Sequence, residues 1–117
     1  MGITYVAATV TGPSGDAAVD FLVDSGAQYT LLPEGIWRQI GLTARRKQRF
    51  RLPDGTEMER DISNCVVKLV ELGETPTPII LGRQGDVALL GAVTLEELGL
   101  VLNPFTRTLH PAALLLV

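Results

Sequence analysis

Short β-prone segments separated by turn signals are the feature that most constrains the fold of this chain. Residues 3–10 are rich in Ile, Thr, Tyr and Val, and residues 11–16, which follow them, include two glycines and a proline. Branched and aromatic residues favour strands, whereas glycine and proline favour turns. Residues 17–23 alternate loosely and then become fully apolar. The pattern predicts a β-hairpin at this end of the chain.

Further strand-like segments fill most of the remaining sequence. A projecting hairpin is indicated where residues 49–52 and 57–62 alternate on either side of the turn sequence 53–56. Its first arm is basic and its second largely acidic, so we expect charge pairs between the two strands. The other predicted strands cover residues 30–32, 65–72, 77–81 and 87–91, with a connection at 73–76, and a closing hairpin at 100–102 and 106–109.

Two short helices are also predicted. Pro33 at the first helical position and Gly41 as a stop signal indicate one or two turns over residues 33–40. The sequence Thr94-Leu95-Glu96-Glu97 matches a capping box, in which the threonine caps the helix and a glutamate follows three residues later. Gly99 then ends this second helix.

The scarcity of cysteine and histidine limits the chemistry available to the chain. One cysteine, Cys65, cannot form an internal disulfide, and with the single His110 it cannot build a structural zinc site. We expect Cys65 to be a buried apolar residue. No spacing supports Cys–His or Ser–His–Asp catalysis. The chemistry of this chain therefore rests on carboxylates or on binding. We expect no metal and no cofactor.

Length and charge restrict the domain count and the partners. A chain of 117 residues has the size of one domain, and we expect residues 1–117 to form one. Ten basic and 13 acidic residues give a net charge of −3, which argues against general polyanion binding. The longest apolar run, residues 112–117, is too short to span a bilayer, and no secretory signal is apparent. We expect a cytoplasmic protein without a membrane or nucleic-acid partner.

An apolar strand leads directly into the sequence Asp24-Ser25-Gly26-Ala27. This sequence resembles the active-site loop of the retropepsin-like, single-domain aspartic peptidases of retroviral type. In that family a flap hairpin follows the loop, and two apolar residues with a glycine later introduce a short helix. Residues 49–62 resemble the flap, and Leu89-Leu90-Gly91 resembles the later element. The resemblance implies an all-β fold, a closed acid-protease-like β-barrel with a flap hairpin and one or two short helices.

The number of carboxylates required for peptide hydrolysis predicts a dimer. Water needs a base to activate it and the leaving nitrogen needs an acid, and one proton shared by two adjacent carboxylates supplies both, as in aspartic proteases generally. The chain has a single Asp-Ser-Gly loop, so the second carboxylate has to come from another chain. A two-fold homodimer places Asp24 of each subunit opposite its copy.

The resemblance also assigns the remaining site residues. Asp24 is catalytic, Ser25 braces the loop through its hydroxyl, and Gly26 allows the backbone to approach the carboxylates. We expect an extended peptide substrate to lie beneath the flap. Residues 31–32, 79–81 and 87–90 belong either to the core or to the pockets. The residues expected to bind the substrate are Ala27, Leu52, Pro53, Asp54, Gly55, Thr56 and Leu90.

Two alternative functions remain open on the sequence alone. A non-catalytic peptide-binding or dimerisation module could use the same fold, although the intact Asp24, Ser25 and Gly26 favour the enzyme. Residues 45–51 contain five of the ten basic residues and could bind nucleic acid or an acidic peptide. A solvated flap arm is the favoured interpretation of that segment.

Overall fold

The structure, a computed structural model, describes residues 4–112. The start of the first predicted strand at residue 3 and the apolar tail beyond residue 112 lie outside this range. Nine strands and two short helices occur within it. In chain order they are β1 (Tyr5–Gly12), β2 (Gly15–Val23), β3 (Thr30–Leu32), α1 (Glu34–Gln39), β4 (Arg46–Arg51), β5 (Glu57–Leu69), β6 (Gly73–Leu81), β7 (Leu89–Leu90), α2 (Ala92–Glu97), β8 (Leu100–Asn103) and β9 (Thr108–Pro111).

Six of the strands pair in a closed ring. Their order is β1-β2-β7-β3-β6-β5, and β5 pairs again with β1. Strand β4 is bonded to β5 outside the ring. Every ring strand therefore has two neighbours, which removes the exposed sheet edges that an open sheet would have. The all-β, closed barrel is confirmed.

Alternation along β2 decides which side chains form the core. Its alternate residues Ala17, Val19, Phe21 and Val23 are buried, because successive side chains of a strand point to opposite faces. Strand β1 pairs with β2 over its whole length, so the predicted hairpin is confirmed. The largest fully buried side chains of the core are Phe21, Leu32, Ile40, Ile62, Leu69, Ile79 and Leu90.

Strand β5 is longer than the sequence indicated. The predicted strands at 57–62 and 65–72 are one continuous strand, Glu57–Leu69, because Ser63 is buried and paired with Ile79 instead of ending a strand. The first part of β5 pairs with β4 to form the flap hairpin, and the second part pairs with β6 and β1. The connection predicted at 73–76 is also wrong, since β6 begins at Gly73 and the turn precedes it.

Both helices are present, with corrected starts. Pro33 is the N-cap of α1 and not its first residue, while Gly41 has φ +81 and ends the helix as predicted. Helix α2 begins at Ala92 with Gly91 as N-cap, so Thr94 is not a capping residue. The capping-box prediction was wrong because Thr94 is fully buried and its hydroxyl bonds to two other threonines.

Strands β8 and β9 form the predicted closing hairpin as a separate two-stranded sheet. An isolated two-stranded sheet is marginally stable in water. Leu100 is buried near α2, whereas Val101 is 50% exposed and Phe105, in the turn, is 93% exposed. No helix of residues 4–112 is long and apolar enough to cross a membrane.

Candidate active site

Asp24 lies directly after β2, at the point where β2 and β7 run in parallel. Its backbone N–H donates to the carbonyl of Leu90 over 3.0 Å, so β7 fixes the start of the loop. The residue itself is exposed. The barrel thus presents one carboxylate at the end of β2, with its backbone held by the sheet.

The loop folds around this carboxylate. The Gly26 N–H donates to Oδ1 of Asp24 over 3.0 Å, and the Ala27 N–H donates to the Asp24 carbonyl over 3.1 Å. A Cβ added at Gly26 would lie 3.3 Å from the same Oδ1, a close contact with the carboxylate. The Ser25 hydroxyl makes no hydrogen bond within residues 4–112, so the bracing expected of it is not found in that part of the chain.

Helix α2 holds the far side of the loop. The Ala92 N–H donates to the Ala27 carbonyl over 2.8 Å, and the Val93 N–H donates to the Gln28 carbonyl over 3.0 Å. A Cβ at Gly91 would lie 2.5 Å from the backbone carbon of Tyr29. Only glycine fits there, because the clash is with backbone that cannot rotate away. Sequence analysis placed Gly91 before the helix but missed this contact.

A chain of buried hydroxyls links α2 to the strands beside the loop. Thr94 Oγ1 lies 2.5 Å from Thr30 Oγ1 and 2.8 Å from Thr77 Oγ1. Thr77 donates to a carboxylate oxygen of Glu97 over 2.7 Å, and Thr30 accepts from the Gly91 N–H over 3.1 Å. Because a hydroxyl has one proton and Thr77 donates its proton to Glu97, Thr94 donates to Thr77 and Thr30 donates to Thr94. Sequence analysis did not identify this chain.

A groove of about 320 Å³ lies between the loop and the flap hairpin. We call it the flap groove. Of the predicted substrate residues, Ala27 and Leu52 line it. Leu90 is fully buried in the core, and its neighbour Leu89 lines the groove instead. The other lining residues are Gln28, Tyr29, Leu31, Phe50, Arg51, Met58, Arg60 and Ile80.

The flap tip is an exposed turn that does not line the flap groove. Residues 53–56 form it, and Gly55 adopts φ +91, a left-handed conformation that favours glycine. Asp54 accepts hydrogen bonds from the Thr56 hydroxyl, over 2.7 Å, and from the Thr56 N–H, over 2.9 Å. These bonds, the hydroxyl first, lower the pKa of Asp54 below its usual value.

A second groove, of about 330 Å³, begins on the other side of the loop. Ser25 borders it, next to Asp24, and α2 and β8 supply its remaining walls. We call it the helix groove. Its lining is mostly apolar and consists of Ser25, Ala92, Leu95, Glu96, Leu100, Val101 and Leu102.

The remaining polar candidates do not converge on the loop. Within residues 4–112, no three His, Cys, Asp or Glu side chains form a group that could hold a metal ion. Cys65 is buried as predicted, and burial raises the pKa of its thiol from 9.0 to about 12. His110 is exposed on β9, and its ring Nε2 is hydrogen-bonded to the Thr108 hydroxyl. Asp24 is thus the carboxylate that the sequence predicts for the site, and the structure places it exposed at the end of β2.

Comparison with known proteins agrees with this geometry. The sequence model of a family described as "gag-polyprotein putative aspartyl protease" matches residues 10–97. The structure of EIAV protease complexed with the inhibitor HBY-793 is similar, with TM-score 0.62 and 18% identity over 98% of this chain and 94% of that one.

A foamy viral protease–reverse transcriptase, solved with an RNA/DNA hybrid, is similar with TM-score 0.57 and 10% identity. That match covers 97% of this chain and 13% of the viral one. At these identities the likeness to solved structures concerns the fold. The comparison with curated proteins found no match.

Proposed function

The chain belongs to the gag-polyprotein aspartyl protease family, a family of aspartic endopeptidases, and we propose that it acts as a homodimer in which Asp24 of both subunits activates one water. The observation that carries the proposal is the exposed Asp24 at the end of β2, held by the loop and by Leu90. One carboxylate cannot serve as base and acid together, so a second Asp24 is required.

The helix groove favours one face of the subunit for the dimer. It begins at Ser25, beside the carboxylate, and continues over the apolar residues of β8. Val101 and Phe105 extend this apolar surface into a hairpin that is not bonded to the barrel sheet. A second copy that covers this surface across a two-fold axis brings its own Asp24 towards the first, because the loop and the groove are adjacent.

The proposed reaction follows from the shared proton of the pair. The ionised Asp24 accepts a proton from water while the water oxygen attacks the carbonyl carbon of the scissile peptide bond. The protonated Asp24 of the partner subunit donates its proton to the carbonyl oxygen as the tetrahedral intermediate forms. The Asp24 that took the water proton then donates it to the peptide nitrogen as the carbon–nitrogen bond breaks. A hydroxyl of the intermediate returns a proton to the partner subunit's Asp24, which leaves a carboxylic acid, an amine and the carboxylate pair in its starting state.

Asp24→Asn tests the catalytic assignment. The purified wild type is expected to cleave members of a peptide library, detected by mass spectrometry, and Asp24→Asn is expected to lose at least a hundredfold in rate. Asp20→Asn is the matched control, because Asp20 is an exposed carboxylate of β2, the strand that Asp24 follows. Full cleavage by Asp24→Asn refutes the assignment. A wild type that binds peptides and cleaves none favours the non-catalytic module.

Val101→Arg tests the dimer. It places a charge on the proposed interface, so we expect dissociation to monomers in sedimentation and a loss of activity that higher protein concentration partly restores. Val70→Arg is the control, since Val70 is 67% exposed and lies outside the helix groove. Undiminished activity in a monomeric Val101→Arg variant contradicts the dimeric mechanism.

We expect the substrate to be an extended peptide that enters the flap groove, because a strand-like peptide can bond to backbone groups of the flap and the loop. The cytoplasmic location and the single domain over residues 1–117 stay predictions.

A further inference from the structure

The two faces of the flap hairpin differ in charge. On the outer face each basic residue of β4 stands opposite an acid of β5: Lys47 Nζ lies 3.1 Å from Asp61, and Arg49 is paired in register with Glu59. Arg51, the last residue of β4, also lines the flap groove, but it lies 4.0 Å from the carboxylate of Glu57 and so has an acidic partner. The side chains of β4 and β5 alternate between the faces. All three carboxylates of these strands therefore lie on the outer face.

The inner face carries two arginines and no acid. It consists of Arg46, Gln48 and Phe50 from β4, opposite Ile62, Arg60 and Met58 from β5. Arg46 has partners there, because it donates to Gln48 over 2.8 Å and its guanidinium lies 5.9 Å from the Tyr29 ring. Within residues 4–112, no carboxylate lies within ion-pair distance of Arg60.

Arg60 lies in an apolar setting that favours an anionic partner. The residue is half-buried and lines the flap groove beside Met58 and Leu89. No acidic residue lines the groove in the described part of the chain. A guanidinium that is partly withdrawn from water is stabilised most by a carboxylate. Its planar fork can bind the carboxylate through two parallel hydrogen bonds.

We propose that the flap groove selects substrates with an acidic side chain and that Arg60 is the residue that determines this preference. The inference rests on the proposed function and adds a substrate class to it. The side-chain methylenes of a glutamate pack on Met58 and Leu89 while its carboxylate meets the guanidinium of Arg60. Ala27 lines the same groove and belongs to the active-site loop, so the acidic residue lies close to the scissile bond.

The test uses a peptide that the wild type cleaves, resynthesised with Glu, Gln, Leu or Lys at each position in turn. At one position we expect Glu to exceed Gln by roughly tenfold or more in kcat/KM, as for a hydrogen bond to a charged group. Arg60→Met is expected to abolish this difference, and Arg60→Glu to reverse it in favour of Lys. Arg60→Lys keeps the charge without the planar fork and retains part of the preference.

Arg49→Met is the matched control, because it removes an arginine from the outer face, opposite Glu59. The preference for Glu is expected to survive in this variant. Equal rates for Glu and Gln in the wild type at every position, or an unchanged preference in Arg60→Met, overturn the inference.

A binding measurement separates this inference from the proposed function. Peptide affinity is measured with the Asp24→Asn variant and with the double variant Asp24→Asn, Arg60→Met. We expect Asp24→Asn to bind the Glu peptide roughly tenfold more tightly than the Gln peptide, and we expect the double variant to bind both equally. This result supports the role of Arg60 even if no peptide is cleaved. Equal affinities for the two peptides contradict it, whatever the cleavage results.

Discussion

Thr94→Val removes the central hydroxyl of the buried chain that joins Thr30, Thr94 and Thr77. Valine has nearly the same shape and the same branching at Cβ, so the packing of α2 is retained while two hydrogen bonds are lost, those of 2.5 and 2.8 Å. Thr77 keeps its bond to Glu97, and Thr30 keeps the N–H of Gly91. The Thr30 hydroxyl proton, however, loses its acceptor in a fully buried position.

The hydrogen bonds lost in Thr94→Val determine how far the free energy of unfolding falls. Each of the two lost hydrogen bonds is worth about 1 kcal/mol, and the unsatisfied Thr30 donor adds a further cost, so we expect the free energy of unfolding to fall by about 2–3 kcal/mol. For a chain of 117 residues the unfolding entropy is about 0.25 kcal/mol/K. The midpoint of thermal unfolding is then expected to fall by about 8–12 °C.

Thermal unfolding followed by circular dichroism measures this shift, with all proteins at one concentration because dimerisation stabilises the folded state by mass action. Thr11→Val is the control, since Thr11 is exposed in β1 and its hydroxyl makes no hydrogen bond within residues 4–112. We expect it to change the free energy of unfolding by less than about 0.5 kcal/mol. A fall of under about 2 °C in Thr94→Val refutes the reasoning on the hydroxyl chain.

Three further predictions follow from the site and its surroundings. Hydrolysis of peptides is expected to be fastest below neutral pH, because the pair of carboxylates has to retain one proton, and a rate that rises steadily to pH 9 contradicts the shared-proton mechanism. Burial raises the pKa of Cys65 to about 12, so a thiol reagent at pH 8 is expected to modify this residue only on unfolding, and rapid labelling of the folded protein argues against burial. The free energy of unfolding is also expected to fall between pH 9 and 12 by more in the wild type than in Cys65→Val. Thr56→Val removes the largest cause of the lowered Asp54 pKa, so an NMR titration is expected to find that pKa raised relative to the wild type. In the wild type the stabilisation of the flap turn by these bonds is present above the usual pKa of an aspartate and is lost as pH falls through the lowered one, and an unchanged titration in Thr56→Val contradicts this assignment.

The sequence did not predict the register of the strands at the site, and the register decides which side chains face the groove. Leu89 and Leu90 are adjacent apolar residues, and the sequence alone did not distinguish the core position from the groove wall. The parallel ladder between β2 and β7 places Leu90 in the core and Leu89 at the groove, since it pairs Val23 with Leu90 and Leu22 with Leu89. A shift of one residue would exchange the two faces, because side chains alternate along a strand.

The predicted roles of several polar residues were wrong because contacts between residues distant in the sequence decide those roles. Thr94 fitted a capping box, but its partners Thr30 and Thr77 are 64 and 17 residues away in the chain. The basic flap stretch appeared uniformly solvated. Only strand pairing separates the outer face, where acids neutralise Lys47 and Arg51, from the inner face with Arg60.

Local patterns determined most of the strands and turns, the flap hairpin and the loop that presents Asp24, because propensity, alternation and turn chemistry act over a few neighbouring residues. The tertiary structure alone decided the closure of the barrel between β1 and β5 and the hydroxyl chain beside the loop. It also decided that no carboxylate of residues 4–112 lies within ion-pair distance of Arg60. These features arise when distant strands pair, since pairing brings together side chains that no short stretch of sequence relates.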